Sequence, residues 1–142
     1  MVRFPEGGRD KITAMENFRD FEAGPDPFGR KWHATFKYLQ TAISIRHSDS
    51  VDVCYILESG GERMVKTVAL PHAELKAYTA KAGRTLSDTL CSRIAACEIR
   101  RVIETAEDLD KEYLVLGQNQ IAEYDAAVKK WEDEWVKQHH AA

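Results

Sequence analysis

Long hydrophobic runs, signal-like segments and an excess of positive charge are all missing from this sequence of 142 residues. No apolar stretch approaches the roughly 18–20 residues that a membrane-spanning helix needs. The first residues lack the apolar centre of a secretory signal. The net charge of −3 argues against a generally basic nucleic-acid-binding protein. We therefore expect a cytoplasmic protein that forms a single domain over 1–142 and has no membrane partner.

Cysteine is scarce, and its placement argues against two kinds of site. Cys54, Cys91 and Cys97 are odd in number and follow no disulfide spacing. Histidine and cysteine do not cluster at the spacings that a zinc ion requires. The sequence therefore predicts reduced thiols used as small apolar residues, with no metal site and no cofactor.

Recognised catalytic motifs are missing as well. The chain has no glycine-rich phosphate loop, no G-x-S-x-G turn and no H-E-x-x-H helix. A nucleophile pair of Cys91 with His72 can be drawn, because each lies near the first turn of a predicted helix, but no further residue supports it. The sequence leaves enzymatic activity open and favours a protein without a catalytic site.

What the sequence does contain is a β-meander. Three segments with alternating apolar and polar side chains cover residues 41–47, 51–59 and 62–70. Ser48-Asp49-Ser50 is the predicted first turn, and Gly60-Gly61 is the predicted second turn. This order predicts an antiparallel sheet.

Each turn predicts the register of the strands that it joins. The two-residue glycine turn places Glu58 opposite Arg63, and a three-residue first turn places Arg46 opposite Asp52. Such opposite-charge pairs each contribute about 0.2–1 kcal/mol. One face of the sheet then collects the apolar side chains, with Lys66 as the one charged residue among them. The apolar members are Ile43, Ile45, Val51, Val53, Tyr55, Leu57, Met64, Val68 and Leu70.

The residues before the meander predict an arm and an overhanging strand. Residues 1–30 are irregular or carry a short helix at 11–21. Residues 31–40 extend the first strand, so that the whole meander covers 31–70, and a switch of apolar parity predicts a bulge near Leu39–Thr41. The overhanging half would need a partner, either the arm or another subunit.

The residues after the meander predict helices, which completes an α+β fold with three helices packed on the sheet. The segment 71–117 is helical, with Thr85 as the N-cap of its second helix, and 118–142 is an amphipathic C-terminal helix. Residues 113–116 are apolar on all sides, so a strand is an alternative there. The three helices predicted within 71–117 cover 72–82, 85–105 and 107–116, and the C-terminal helix covers 119–138.

The stretch 28–48 combines cations with aromatic rings and contains no acidic residue. Because bases stack on exposed rings while phosphates pair with cations, this composition is typical of a platform for single-stranded nucleic acid. An amphipathic strand with its rings in the core has the same composition and is the commoner case. The candidate ligand-binding or nucleic-acid-binding residues are Arg30, Lys31, Trp32, Phe36, Lys37, Tyr38 and Lys66.

A second nucleic-acid signal lies within 65–106. The run Thr67–Pro71, a short helix with Glu74-Leu75, and the turn Gly83-Arg84-Thr85 before a longer helix resemble the ribbon-helix-helix DNA-binding proteins. The resemblance implies DNA binding by this segment. The strand-to-turn spacing is shorter than in that family, and the strand positions that read bases there are mostly apolar here, so the likeness does not assign the chain to it.

The last predicted helix has the most regular apolar spacing in the chain. Its apolar residues recur at intervals of 3, 4, 3 and 4, which makes a seam of about two heptads. Packing of this seam on the chain's own sheet is the commoner arrangement. Two tryptophans on so narrow a seam make packing against another chain the alternative. The candidate partner-interface residues are Tyr124, Val128, Trp131 and Trp135.

Three functions are compatible with the sequence. The leading hypothesis is a non-catalytic cytoplasmic binding or interaction protein that self-associates, most simply as a homodimer, or binds another protein. The second is nucleic-acid binding through 28–48 or 65–106. The third is a small-molecule enzyme or sensor with a pocket between sheet and helices. That pocket would bring together His33, Cys54, Tyr55 or Lys66.

Overall fold

A five-stranded sheet forms the centre of the fold, and the computed structural model describes it within residues 18–42 and 49–140. The strands lie in chain order, antiparallel from the first to the fourth, and the fifth is parallel to the fourth. The strands are β1 (Asp20–Ala23), β2 (Trp32–Ala42), β3 (Ser50–Ser59), β4 (Glu62–Pro71) and β5 (Tyr113–Val115). The helices are α1 (His72–Ala82), α2 (Asp88–Thr105) and α3 (Gln118–His140). The predicted α+β class is confirmed.

The β3–β4 hairpin has the predicted register. Glu58 pairs with Arg63 and Val53 with Val68. The turn glycines have φ angles of 51° at Gly60 and 91° at Gly61. Because two-residue hairpin turns of this hand need positive φ at both positions, glycine is the residue that fits without strain.

The predicted register of the first hairpin is wrong. Asp52 pairs with Gln40, and Val53 pairs with Leu39, because β2 ends at Ala42 and β3 begins only at Ser50. The predicted partner Arg46 and the predicted core residues Ile43 and Ile45 lie outside the described residues. The predicted turn at 48–50 therefore does not give the register, and the burial of one sheet face decides it instead.

The predicted bulge in the first strand exists, but it lies at Lys37, where the register shifts between Phe36 and Tyr38. An extra residue in one strand reverses the faces of the residues that follow it. Ala34 and Leu39 therefore face the helices although their numbers differ in parity, and Tyr38 faces the opposite side of the sheet.

The predicted overhang does not exist within the described part of β2. Residues 33–36 pair with β3 on one edge, and residues 32–35 pair with β1 on the other. The N-terminal arm therefore supplies the partner strand. The short helix predicted at 11–21 is wrong at Asp20 and Phe21, which belong to β1, and its residues 11–17 lie outside the described range.

The segment after the meander differs from its prediction at two points. α2 begins at Asp88 with Ser87, rather than Thr85, as its N-cap, because the Ser87 hydroxyl accepts a hydrogen bond from the Leu90 N–H at 3.1 Å. The helix predicted over 107–116 is replaced by the alternative strand, β5. β4 lies between β3 and β5, so both its edges are occupied by strands of the same chain, whereas the corresponding strand of ribbon-helix-helix proteins pairs between subunits.

One hydrophobic core joins the sheet to the helices. α1 and α2 contact the strands, and α3 packs on α1 and α2. Burying this set of apolar side chains provides the main favourable term in folding. The fully buried large side chains are Trp32, Val53, Tyr55, Leu57, Val68, Leu70, Leu75, Ile94, Ile99, Ile103, Leu116 and Ile121.

Candidate functional site

The side of the sheet that faces away from this core carries a row of side chains across four strands. Tyr38 pairs with Cys54, Cys54 with Thr67, and Thr67 with Tyr113. The next row contains Asp52, Ala69 and Val115. Cys54 and Ala69 are buried but do not belong to the core cluster that the helices share. We call the side formed by these two rows and their neighbours Ile56 and Val65 the open face.

A buried carboxylate lies at the centre of the open face. Asp52 is only 3% exposed. Its Oδ1 accepts a hydrogen bond from the Ser50 hydroxyl at 2.8 Å, and its Oδ2 accepts one from the Tyr113 hydroxyl at 3.1 Å. Within residues 18–42 and 49–140, no lysine or arginine forms an ion pair with it. Neutral hydroxyl groups therefore hold this charge.

Two tyrosines flank the carboxylate from opposite sides. Tyr38 comes from β2 and is 38% exposed, whereas Tyr113 comes from β5 and is 60% exposed. The hydrogen bond to Asp52 raises the pKa of Tyr113, and nearby Cys54 raises the pKa of Tyr38. Both phenols therefore remain protonated at neutral pH and can donate hydrogen bonds.

Two rings of the predicted nucleic-acid platform lie on the other side of the sheet. Trp32 is fully buried, and its indole Nε1 donates a hydrogen bond to Asp26 Oδ2 at 3.1 Å. Phe36 is half-buried and packs edge-on against Tyr55, with ring centroids 5.9 Å apart. Neither ring presents a free face on which a base could stack.

The cations of the same stretch fall into two groups, one paired with acidic residues and the other exposed. Arg30 pairs with Asp26 at 3.0 Å and with Glu62 at 2.5 Å, so its charge is already compensated. Lys31 and Lys37 are exposed. The Lys37 ammonium lies 6.0 Å from the ring centroid of Tyr38. Of the six candidates in this stretch, the structure joins only Lys37 and Tyr38 at the surface, so nucleic-acid binding stays a prediction from the sequence.

Lys66, the charged residue predicted on the apolar face, is 2% exposed. Its ammonium donates hydrogen bonds to the backbone carbonyls of Leu109 and Lys111, the second at 2.5 Å. Burial lowers the pKa of Lys66, and the nearby acidic groups of Asp110 and Glu112 oppose that shift. Lys66 also lines an open pocket of about 450 Å³. The other residues lining it are Met64, Val65, Leu109, Asp110 and Glu112.

The residues proposed for a sheet–helix pocket do not converge. Tyr55 and Lys66 face the helices, whereas Cys54 and His33 face the other side of the sheet. The Tyr55 hydroxyl instead donates hydrogen bonds to the backbone carbonyls of Phe18, at 2.9 Å, and Ser92, at 3.3 Å. The geometry offers no shared reaction site for these four groups.

The cysteines are unpaired, and burial makes two of them poor nucleophiles. Burial raises the pKa of Cys91 to about 11 and that of Cys97 to about 12. A thiol must lose its proton to react, and these raised pKa values keep both thiols protonated at neutral pH. The described part of the chain contains no group of three or more potential metal ligands.

The candidate interface on α3 is partly buried in its own chain. Val128 is fully buried, and Tyr124 is nearly so, with its hydroxyl donating a hydrogen bond to the buried Glu98 on α2. These two residues therefore present little surface to a partner. The side chains of Trp131 and Trp135 lie outside the described ones.

The sequence did not predict a buried charge cluster that is centred on Asp125 of α3. Asp125 is fully buried, accepts a hydrogen bond from the Tyr78 hydroxyl at 2.5 Å and binds Arg84 through both carboxylate oxygens. Burial, with the hydrogen bond to Asp125, raises the pKa of Tyr78 to about 12. The position of Asp125 directly after Tyr124 on the apolar seam could have predicted its burial. The cluster joins α1 and the following turn to α3.

No protein-family description, no curated protein and no solved structure matches this chain. Among the described residues, none of the helices combines the length and apolar character required to cross a membrane.

Proposed function

We propose that the protein is a non-catalytic binding protein that self-associates through the open face. The observation that carries this proposal is the exposure of apolar surface there. Val115 is 66% exposed, and with Tyr113 it borders the buried Ala69. Tyr113, which is 60% exposed, and Val115 therefore place exposed apolar side chains next to each other on β5. Neighbouring exposed apolar side chains are typical of sites where another protein docks.

A second copy of the chain is the partner that the charges beside the open face, on the same side of the sheet, favour. A two-fold interface uses the same patch on both copies, so the patch must complement itself. The side of the sheet facing away from the core carries both signs of charge, with Asp20 and Glu22 on β1 and the exposed Arg63 on β4. A patch of mixed sign can pair with its own copy, whereas a patch of one sign repels it.

We also propose a cytoplasmic location. Cys54, Cys91 and Cys97 are all unpaired. Thiols persist in a reducing compartment, whereas oxidising compartments favour disulfides. In the cytoplasm the buried thiols of Cys54 and Cys91 would stay reduced, so the packing around them would not change.

The experiment is sedimentation equilibrium of the wild-type chain at tens of micromolar, compared with Val115→Asp and Val115→Lys. Each variant places two like charges in a self-complementary interface, so each should raise the dissociation constant of the dimer at least tenfold. Leu86→Asp is the matched control, because Leu86 is 40% exposed but lies between α1 and α2. A monomeric wild-type chain, or equal weakening by the control, would show that the proposal is wrong.

A further inference from the structure

Asp52 is an unusual group, because its carboxylate is almost completely buried and, among the residues that the structure describes, its hydrogen-bond donors are all neutral. The two hydroxyl groups of Ser50 and Tyr113 use one lone pair on each oxygen. A carboxylate offers about four such positions, so capacity for further donors remains. A buried charge normally has a partner of opposite sign, and without one its burial is costly.

The two tyrosines add a second feature that attracts positive charge. In the row Tyr38–Cys54–Thr67–Tyr113, the aromatic residues occupy the two outer strands and Tyr113 reaches inward across β4 to Asp52. The face of an aromatic ring is electronegative and binds cations within about 6 Å of its centroid. Tyr38 is 38% exposed, and the Lys37 ammonium of the same chain already lies 6.0 Å from its ring centroid.

We propose that Tyr38, Asp52 and Tyr113 form a binding site for an organic cation, an alkylammonium or guanidinium group. The cation would lie on the exposed tyrosine ring faces, with the Asp52 charge beneath it. The group can belong to a lysine or arginine side chain of a partner protein or to a free amine. The inference rests on the proposed function only in taking the open face as the binding surface.

The composition of the site favours an organic cation over an anion or a metal ion. A buried carboxylate and two ring faces repel anions. Calcium and magnesium require several oxygen ligands in a defined geometry, and the residues that the structure describes contain no cluster of that kind. A soft, weakly hydrated cation needs only one carboxylate and aromatic surface.

Titration of the wild-type chain with butylammonium, methylguanidinium and uncharged butanol tests the site, with backbone amide NMR shifts at Thr67 and Tyr113 as the readout. We expect both cations to bind at least tenfold more tightly than butanol. Asp52→Asn removes the charge but keeps one acceptor oxygen, and the hydroxyl that meets the new amide NH2 can accept from it instead. This variant should weaken cation binding at least tenfold. Asp49→Asn, a change of an exposed neighbouring carboxyl group, should leave binding unchanged.

Tyr113→Leu provides a second test that keeps the charge and removes a ring face. We expect it to weaken butylammonium binding several-fold, with thermal unfolding confirming that the variant is folded.

Equal affinity for butanol and butylammonium, or unchanged cation binding in Asp52→Asn, would overturn the proposal. If butylammonium binds only after Arg46→Gln, a side chain of the same chain occupies the site in the wild type. The proposal of an external ligand would then be wrong.

Sedimentation of the same Asp52→Asn variant distinguishes the two sources of the cation. If its dimer is at least tenfold weaker than that of the wild type, the cation is a side chain of the second copy. If assembly is unchanged while amine binding is lost, the cation is a free amine or belongs to another protein. A monomeric wild-type chain that binds butylammonium would reject self-association and retain the cation site.

Discussion

At the scale of single residues, Asp26 organises the loop before β2. Its Oδ1 accepts hydrogen bonds from the backbone N–H groups of Phe28 and Arg30, at 2.9 and 2.8 Å. Its Oδ2 accepts from the Arg30 guanidinium and the Trp32 indole. Burial alone would raise the pKa of Asp26, but these hydrogen bonds outweigh it and lower the pKa to about 2.

This pKa predicts a defined dependence of stability on pH. Because the pKa of Asp26 falls from 3.8 to about 2 on folding, its contribution is present above about pH 4 and is lost as the pH falls towards 2. Asp26→Asn should therefore destabilise the protein at pH 6, and its difference from the wild type should shrink between pH 4 and pH 2. Urea unfolding at a series of pH values measures this.

Asp133→Asn is the control for the pH experiment, because Asp133 is an exposed carboxyl group on α3. Its free energy of unfolding should follow that of the wild type across the same range. A gap between wild type and Asp26→Asn that stays constant down to pH 2 would contradict the assigned role of Asp26.

The same loop shows why some candidate residues could not be placed from the sequence. Composition alone allowed Arg30 and Trp32 to be either a nucleic-acid platform or part of a folded loop. The hydrogen bonds from both residues to Asp26 show that they belong to the folded loop. The periodicity of the sequence could not have predicted these hydrogen bonds. Lys66 was recognisable as unusual because strand alternation fixes its face, but its two carbonyl partners lie far along the chain.

At the scale of elements, the start of α2 depends on a serine. The Ser87 hydroxyl satisfies the Leu90 N–H, which would otherwise lack an intrahelical partner. Ser87→Ala should lower the free energy of unfolding by about 1 kcal/mol, the ordinary effect of removing an N-cap. Chemical denaturation of both variants distinguishes Ser87 from Thr85, because Thr85→Ala should have a much smaller effect. Equal losses would show that the cap is not confined to Ser87.

The strands show which registers a sequence can predict. The β3–β4 register follows from Gly60-Gly61, because a two-residue turn leaves no freedom in pairing. The β2–β3 register required the position of the bulge at Lys37. β1 and β5 are only four and three residues long, which is too short for an alternating pattern to identify them.

At the scale of the whole molecule, the chain returns to its sheet after α1 and α2 and adds β5 beside β4. The Thr67 N–H donates a hydrogen bond to the Glu112 carbonyl at 2.8 Å, and the Leu116 N–H donates to the Ala69 carbonyl at 3.0 Å. Lys66 holds the segment just before β5 through the carbonyls of Leu109 and Lys111. The fifth strand therefore depends on side-chain support as well as on its own short ladder.

Removing that support should loosen β5 without unfolding the sheet. In Lys66→Met, the two carbonyl groups lose their donor, so the Thr67 and Leu116 amides should exchange with deuterium at least tenfold faster. Amides inside the β3–β4 hairpin should change much less. Global stability is the poorer readout, because methionine also removes the cost of burying an ammonium group.

Lys111→Met is the matched control for this exchange experiment. It removes a lysine that is 63% exposed and pairs with Asp108 at 3.2 Å, but it leaves the backbone carbonyl of residue 111 in place. Its Thr67 and Leu116 amides should exchange as in the wild type. Unchanged exchange in Lys66→Met would refute the role given to Lys66.

The open face joins residues that only the complete topology brings together. Tyr38, Asp52 and Tyr113 lie on three different strands, and their proximity requires the β2–β3 register and the parallel addition of β5. The sequence analysis predicted a different β2–β3 register. It gave a strand at 113–116 as an alternative, but it did not predict that this strand pairs with β4. The site could therefore be recognised only after the long-range pairings were known.

The parallel position of β5 also has a consequence for synthesis of the chain on the ribosome. The outer edge of β4 is complete once Pro71 has emerged, but its partner Tyr113–Val115 follows only after both α1 and α2. At typical elongation rates that interval lasts on the order of several seconds. During that interval, the unpaired backbone groups of β4 are open to pairing with other nascent chains, so this edge exposes the newly synthesised protein to misassembly.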